Sequence, residues 1–176
     1  MKDHKLYIRQ ALDSDVEEIE ELYRARVLYN DAHQMHQWNL EDVAWEELSK
    51  LYTISDCYVG IYDGHIASAM MLVDEDVLYW PSALKGESLY LHKLCVHPMD
   101  AGKGFADQMI VYFKEVGKQK GYPQVKLDVR EHKKKLREMY ERNGFLLVSV
   151  IDVHKDFLTA LYQFQFASTT SNRTIL

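Results

Sequence analysis

The stretch Leu94-Cys95-Val96-His97-Pro98-Met99-Asp100-Ala101-Gly102-Lys103-Gly104-Phe105-Ala106 decides how this chain is read. Residues 88–96 carry a largely apolar strand signal that His97-Pro98 ends. Phe105, Met109, Phe113 and Val116 then recur along one face of a helix. A turn bearing two glycines joins the strand to the helix. The first turn of a helix has unpaired N–H groups and sits at the positive end of the helix dipole. Glycines without a Cβ let a ligand come close to the main chain. Together these features predict an anion cradle, most naturally for phosphate or pyrophosphate, at Gly102, Lys103, Gly104, Phe105 and Ala106. The plainer reading of the same residues is a helix-initiating turn that merely uses glycine. The loop is not a P-loop, because Gly104 follows Lys103 where a hydroxyl residue would hold magnesium. Nor is it a dinucleotide fingerprint, because Asp107 occupies the third glycine position.

Working outward, Leu6–Ile8 leans to strand. Ser14 with Glu17 has capping-box spacing ahead of a first helix running to about Val27. Asn39 precedes Leu40, Ala44, Leu48 and Leu51, the pattern of a second amphipathic helix. Residues 57–62 and 65–73 flank Asp63-Gly64, a tight hairpin turn. Beyond the third helix, Gly121 and Pro123 supply a stop. A strand over 125–129, a polar helix over 133–143 and closing strands over 146–153 and 158–166 follow. The expected order is β-α-α-β-β-β-α-β-α-β-β, a mixed α/β fold (α+β, mixed sheet), with one domain over residues 1–166 and a polar tail over 167–176.

Composition narrows the function classes. Lys and Arg total 21 against 27 Asp and Glu, a formal charge of −6, so there is no basic excess to grip nucleic acid. Cys57 and Cys95 form neither a disulfide framework nor a zinc-ligand spacing, and no metal is expected. No apolar run reaches the ~18 residues of a membrane span. The N-terminal residues lack the apolar stretch of a signal peptide, so the expected location is cytoplasmic.

A second motif, Tyr140-Glu141-Arg142-Asn143-Gly144-Phe145, follows at a telling distance. Taken with Ala101–Ala106 and with Ile8-Arg9-Gln10-Ala11, Asp15 and Ile19, it makes the chain resemble the GNAT superfamily of acetyl-CoA-dependent N-acetyltransferases over roughly residues 6–166 in element order. The resemblance implies a single-domain GNAT-like acyltransferase fold with acetyl-CoA as acetyl donor. It implies direct attack by a primary amine in a ternary complex, a small acceptor being favoured over a protein. The glycine loop becomes the pyrophosphate site, and the backbones of Leu94, Cys95 and Val96 pair with pantetheine. Tyr140 becomes the acid that protonates the leaving thiolate. The run Tyr90–His97 is similar to the fourth strand of arylalkylamine N-acetyltransferases, which makes His92 the candidate base, with Glu87 and Asp74 as substitutes. Ala101 departs from the family's phosphate-reaching side chain. Lys133 departs from the asparagine many relatives carry seven residues before the tyrosine, a position counted with the cofactor set. A CoA-binding sensor or an interaction module of the same fold stays open, as does a homodimer.

Period-two alternation places Tyr90, His92 and Leu94 on one face and Cys95 on the other. Cys95 as a nucleophile is the lesser reading, since buried cysteines are commonly inert packing. Tyr29, Asp31, His33, His36, Trp38 and Trp45 crowd the region between the first two helices, which lines the acceptor site in this family. They would hold an amine by cation–π contact or simply pack over the sheet.

Overall fold

A computed structural model of the chain describes residues 4–154 and 157–168. The Asp63-Gly64 turn folds as the sequence predicts, with φ of 50° and 80°, the left-handed pair that a tight hairpin needs. It joins β2 (Cys57–Tyr62) to β3 (His65–Val73). With β1 (Tyr7–Gln10), β4 (Leu89–Val96), β5 (Gln124–Arg130), β6 (Leu146–His154) and β7 (Phe157–Gln165), they form a seven-stranded sheet of order β1-β2-β3-β4-β5-β7-β6. All neighbours are antiparallel except the central pair, β4 and β5.

Each face of the sheet has its own core. On one, α3 (Phe105–Gln119) and α4 (Lys134–Arg142) bury Phe105, Met109, Phe113 and Tyr140 against residues such as Leu91 and Leu127. On the other, α1 (Val16–Ala32) buries Ile19, Leu22, Tyr23 and Val27 against Val59, Ala69 and Met71. The apolar positions predicted for α3 are the ones that pack, because its hydrophobic stripe repeats at the helical period.

The sequence expectations need correction at three places. The first helix runs on to Ala32, and its start is set by Asp15 rather than by a Ser14–Glu17 box. The Asp15 carboxylate accepts from Arg9 at 2.6 and 3.0 Å and from the Leu12 amide at 2.7 Å. The second helix shrinks to α2 (Trp45–Leu48) after a 3-10 turn at Glu41–Val43. Ala44 is extended, with ψ of 142°, and the Trp45 amide donates to Glu20, so Leu40 and Leu51 are left exposed. The predicted tail falls mostly outside the described residues.

The third correction concerns β4. Ala69 pairs with Cys95, but Met71 pairs with His92, so Lys93 and Leu94 together oppose Met70 alone. This is a bulge, and Lys93 absorbs it with φ of 54°. One extra residue shifts the facing of everything beyond it. His92 and Cys95 therefore share the α1 face, while Leu94 packs with the α3 core.

Pairing of β4 with β5 stops after Leu89–Val125, Tyr90–Lys126 and Leu91–Leu127. The two strands then separate, and α3 holds the closed end. There Gly117 lies against β5: a Cβ on it would sit 2.4 Å from Val125 Cγ1. Alanine gains about 1 kcal/mol of helix propensity over glycine, but overpacking costs about 1–3 kcal/mol. Gly117→Ala is expected to destabilise the fold on balance, read as a lower urea midpoint. A raised midpoint would show that α3 can move off β5 freely.

Candidate active site

Where β4 leaves β5, a cavity of about 1020 Å³ opens through the sheet. Leu94, Ala106, Met139 and Tyr140 line it from the α3–α4 side. Arg26, Trp38, Tyr52, His92 and Lys93 line it from the α1 side, and Asp128 stands on the β5 wall. The gap thus joins the two faces of the molecule into one chamber.

A proton-handling cluster lies at the parting of the strands. His92 Nδ1 is 2.9 Å from the Tyr52 hydroxyl, and its Nε2 is 3.0 Å from Asp76 Oδ2. Burial pushes the Asp76 carboxyl up, but the His92 hydrogen bond and the Tyr79 and Leu78 amides outweigh it, so it titrates below the usual carboxylate range. An ionised Asp76 accepts a hydrogen bond from Nε2–H, which leaves Nδ1 to accept from the Tyr52 hydroxyl. Both imidazole nitrogens of His92 are therefore engaged.

Asp128 completes the cluster, and no side chain among the described residues hydrogen-bonds its carboxylate. One donor atom from each of Asp76, His92 and Asp128 lies within 4.8 Å of the other two, a set that could also ligate a divalent cation. Burial, reinforced by the charge of Asp76 and opposed by His92 and Lys93, pushes the Asp128 carboxyl up to about 6. A carboxylate so tuned sits near the optimum for a general base at neutral pH.

Tyr140 reaches the same chamber from α4, its ring tilted against Tyr162 and edge-on to Phe145. Burial, then the charge of Asp128, holds its hydroxyl above the usual phenol range, so it stays protonated. Cys95 is buried, and burial pushes its thiol up to about 12, against any thiolate nucleophile. Glu87 and Asp74 do not line the cavity. Of the six residues named between the first two helices, only Trp38 does.

The glycine loop keeps its predicted shape. Gly102 and Gly104 have φ of 80° and 76°, and a Cβ on either would meet nothing within 4 Å. Ala106 faces the cavity, while the Phe105 ring turns into the core. Lys103, expected to help hold phosphate, is turned back: its ammonium lies 2.5 Å from buried Asp100 and over the Tyr62 ring. Lys133 lines the cavity, but its ammonium donates to the Met35 and His36 carbonyls. Of the three backbones expected for pantetheine, Cys95 pairs with Ala69 of β3 and the Val96 carbonyl accepts from Arg26, whereas Leu94 sits in the bulge without a register partner. Asp107, at the start of α3, accepts from Arg142 at 2.8 and 3.1 Å and from Asn143 at 2.7 Å, clasping the end of α4.

Sequence reasoning brought Tyr140 and His92 into one chamber and missed Asp128, Asp76 and Tyr52. An aspartate between Leu127 and Val129, in a strand read from the sequence as running beside the fourth, was the available signal.

Asp128 also carries a stability consequence. Its folded pKa of about 6 lies above the unfolded value of about 3.9, so the folded chain binds this proton more tightly and loses stability as pH rises from about 4 to 6. Asp128→Asn removes that loss. The variant is expected to be more stable than its parent by on the order of 2 kcal/mol at pH 8 and by much less at pH 4. Equal differences at both pH values in urea denaturation would contradict this.

Comparison with known proteins agrees with the geometry. Residues 16–145 match the family model of the acetyltransferase (GNAT) family. No curated protein matches the chain. Among solved structures, a GNAT-family acetyltransferase from Listeria monocytogenes has 22% identity and a TM-score of 0.74, covering 92% of this chain and 95% of its own. The yncA protein from Salmonella typhimurium, solved with its cofactor acetyl-CoA, has 16% identity and a TM-score of 0.64 over 97% of this chain and 99% of its own. An N-acetyltransferase from Staphylococcus aureus Mu50 has 14% identity and a TM-score of 0.66 over 90% and 100%. With its split central strands, its glycine-led third helix and the family match spanning most of its length, this chain belongs to the GNAT acetyltransferase family.

Proposed function

We propose that this protein moves an acetyl group from acetyl-CoA to the primary amine of a small acceptor, by direct attack within a ternary complex. The observation that carries the reading is one chamber lined by both the open Asp128 carboxylate and the protonated Tyr140 hydroxyl. The chain fits the donor at two points. The first-turn amides of α3 follow two left-handed glycines with open space above them. The edge of β4 beyond Leu91 has no β5 partner to satisfy it.

The roles follow from chemistry. An alkylammonium with a pKa of about 10 must lose a proton before it can attack. Asp128 takes that proton. His92, fixed between Asp76 and Tyr52, is a positioning residue that stands beside Asp128. As the C–N bond forms and the C–S bond breaks, negative charge gathers on sulfur, and the Tyr140 hydroxyl donates a hydrogen bond to it. A phenol held above its usual pKa stabilises the departing sulfur best by this bond, with the proton following from the newly acylated nitrogen.

Free-thiol release from acetyl-CoA across a panel of small amines tests the reading. Turnover is expected, and tight CoA binding with no release for any amine would make the protein a sensor instead. Tyr140→Phe is expected to lower kcat by about 10–100-fold with the KM for acetyl-CoA little changed. In the parent, kcat/KM should rise with pH through about 6 as Asp128 ionises, and Asp128→Asn should abolish that limb. EDTA is expected to leave the rate unchanged. Loss of activity on chelation, restored by a divalent ion, would reassign Asp76, His92 and Asp128 as metal ligands.

A further inference from the structure

The acceptor side of the chamber contains a cation that the acetyl-transfer chemistry does not use. Lys93 sits in the β4 bulge, half-buried, with φ of 54° and its carbonyl held by the Tyr23 hydroxyl at 2.6 Å. Its side chain lines the cavity, and its ammonium lies 5.1 Å over the Trp38 ring. No carboxylate among the described residues forms an ion pair with it. Burial pushes it down, and only the more distant charges of Asp42 and Asp128 push it up.

The neighbouring charges are already committed. Arg26 donates to the Val96 carbonyl, Lys133 to the Met35 and His36 carbonyls, and Arg130 lies 4.3 Å over the Phe157 ring. Lys134 and Lys135 stand exposed at the rim. Among the carboxylates, Asp42 accepts from Asn39 and Asp76 pairs with His92, which leaves Asp128. Asp128 and Lys93 thus have no hydrogen bond or ion pair to a side chain among the described residues and lie close enough to feel each other's charge, whereas Arg130, over Phe157, is not among the charges that act on Asp128.

Desolvating a charge without a partner is unfavourable. A simple amine or polyamine would satisfy Asp128 but bring a second positive charge toward Lys93. A molecule carrying both charges satisfies both groups. We infer that the acceptor is a free amino acid, its amine delivered to Asp128 and its carboxylate seated on Lys93 with its side chain toward Trp38. This rests on the acetyl-transfer reading and specifies the substrate class of that site.

Matched pairs decide it. Thiol release from acetyl-CoA would be followed with glycine, leucine, methionine and phenylalanine, each beside its decarboxylated amine and its primary amide. Amino acids of wider charge spacing, β-alanine and 4-aminobutyrate, set the reach between the two seats. The parent protein is expected to prefer the amino acid in at least one pair by about 100-fold in kcat/KM. Lys93→Met should raise the KM for that amino acid by about 10–100-fold, hold kcat near its parent value and bring the pair close to parity. Lys93→Arg should recover part of the preference. Amines turned over as well as or better than their amino acids by the parent protein would overturn this inference alone, and that comparison needs no variant to fold. An equal loss on both members of a pair in Lys93→Met would also overturn it. No release with any acceptor, while acetyl-CoA still stabilises the protein against heat, would overturn the acetyl-transfer reading together with it.

Discussion

Everything in this molecule depends on two parallel strands that stay together for three residue pairs and then part. A parallel pair at the centre of a sheet is ordinarily buried on both faces. Opening it exposes main-chain groups that must find partners elsewhere. Tyr23 takes the Lys93 carbonyl and Arg26 takes the Val96 carbonyl, both from α1. The α3–α4 core covers the other face. The opening is therefore held by packing from both sides, and the backbone left without a partner lies where the proposed donor needs one.

Placing acids in such an opening trades stability for chemistry. Asp76 is ionised because His92 and two amides compensate its burial. For Asp128, on β5, the charges of His92 and Lys93 do not make up for burial and the charge of Asp76, and it is held nearer neutrality. Two carboxylates a few ångströms apart thus acquire different duties, one orienting an imidazole and the other ready to exchange a proton. Environment and not residue type makes the distinction.

The fold was largely legible in the sequence because its signals are local. Asp63-Gly64 needs only turn chemistry, and α3 needs only the periodicity of Phe105, Met109, Phe113 and Val116. The loop was legible because glycine is one of the few residues that marks backbone shape directly. What escaped notice depends on contacts distant in sequence. The β4 bulge has no glycine to announce it, since Lys93 itself takes the positive φ, and strict alternation consequently misplaced Leu94 and Cys95. The second helix failed at Ala44, where Glu20 from another helix captures the Trp45 amide. Asp128 resembled any surface carboxylate until the sheet placed it beside His92 and Asp76.

The clasp between Asp107 and the Arg142–Asn143 pair binds the glycine-led start of α3 to the end of the helix that carries Tyr140. On the proposed reading, the seat for the diphosphate and the phenol that meets the sulfur belong to one rigid brace. The protein then works as a gauge of fixed span. A donor with a shortened arm, however firmly its head were gripped, would hold its thioester out of register with the phenol.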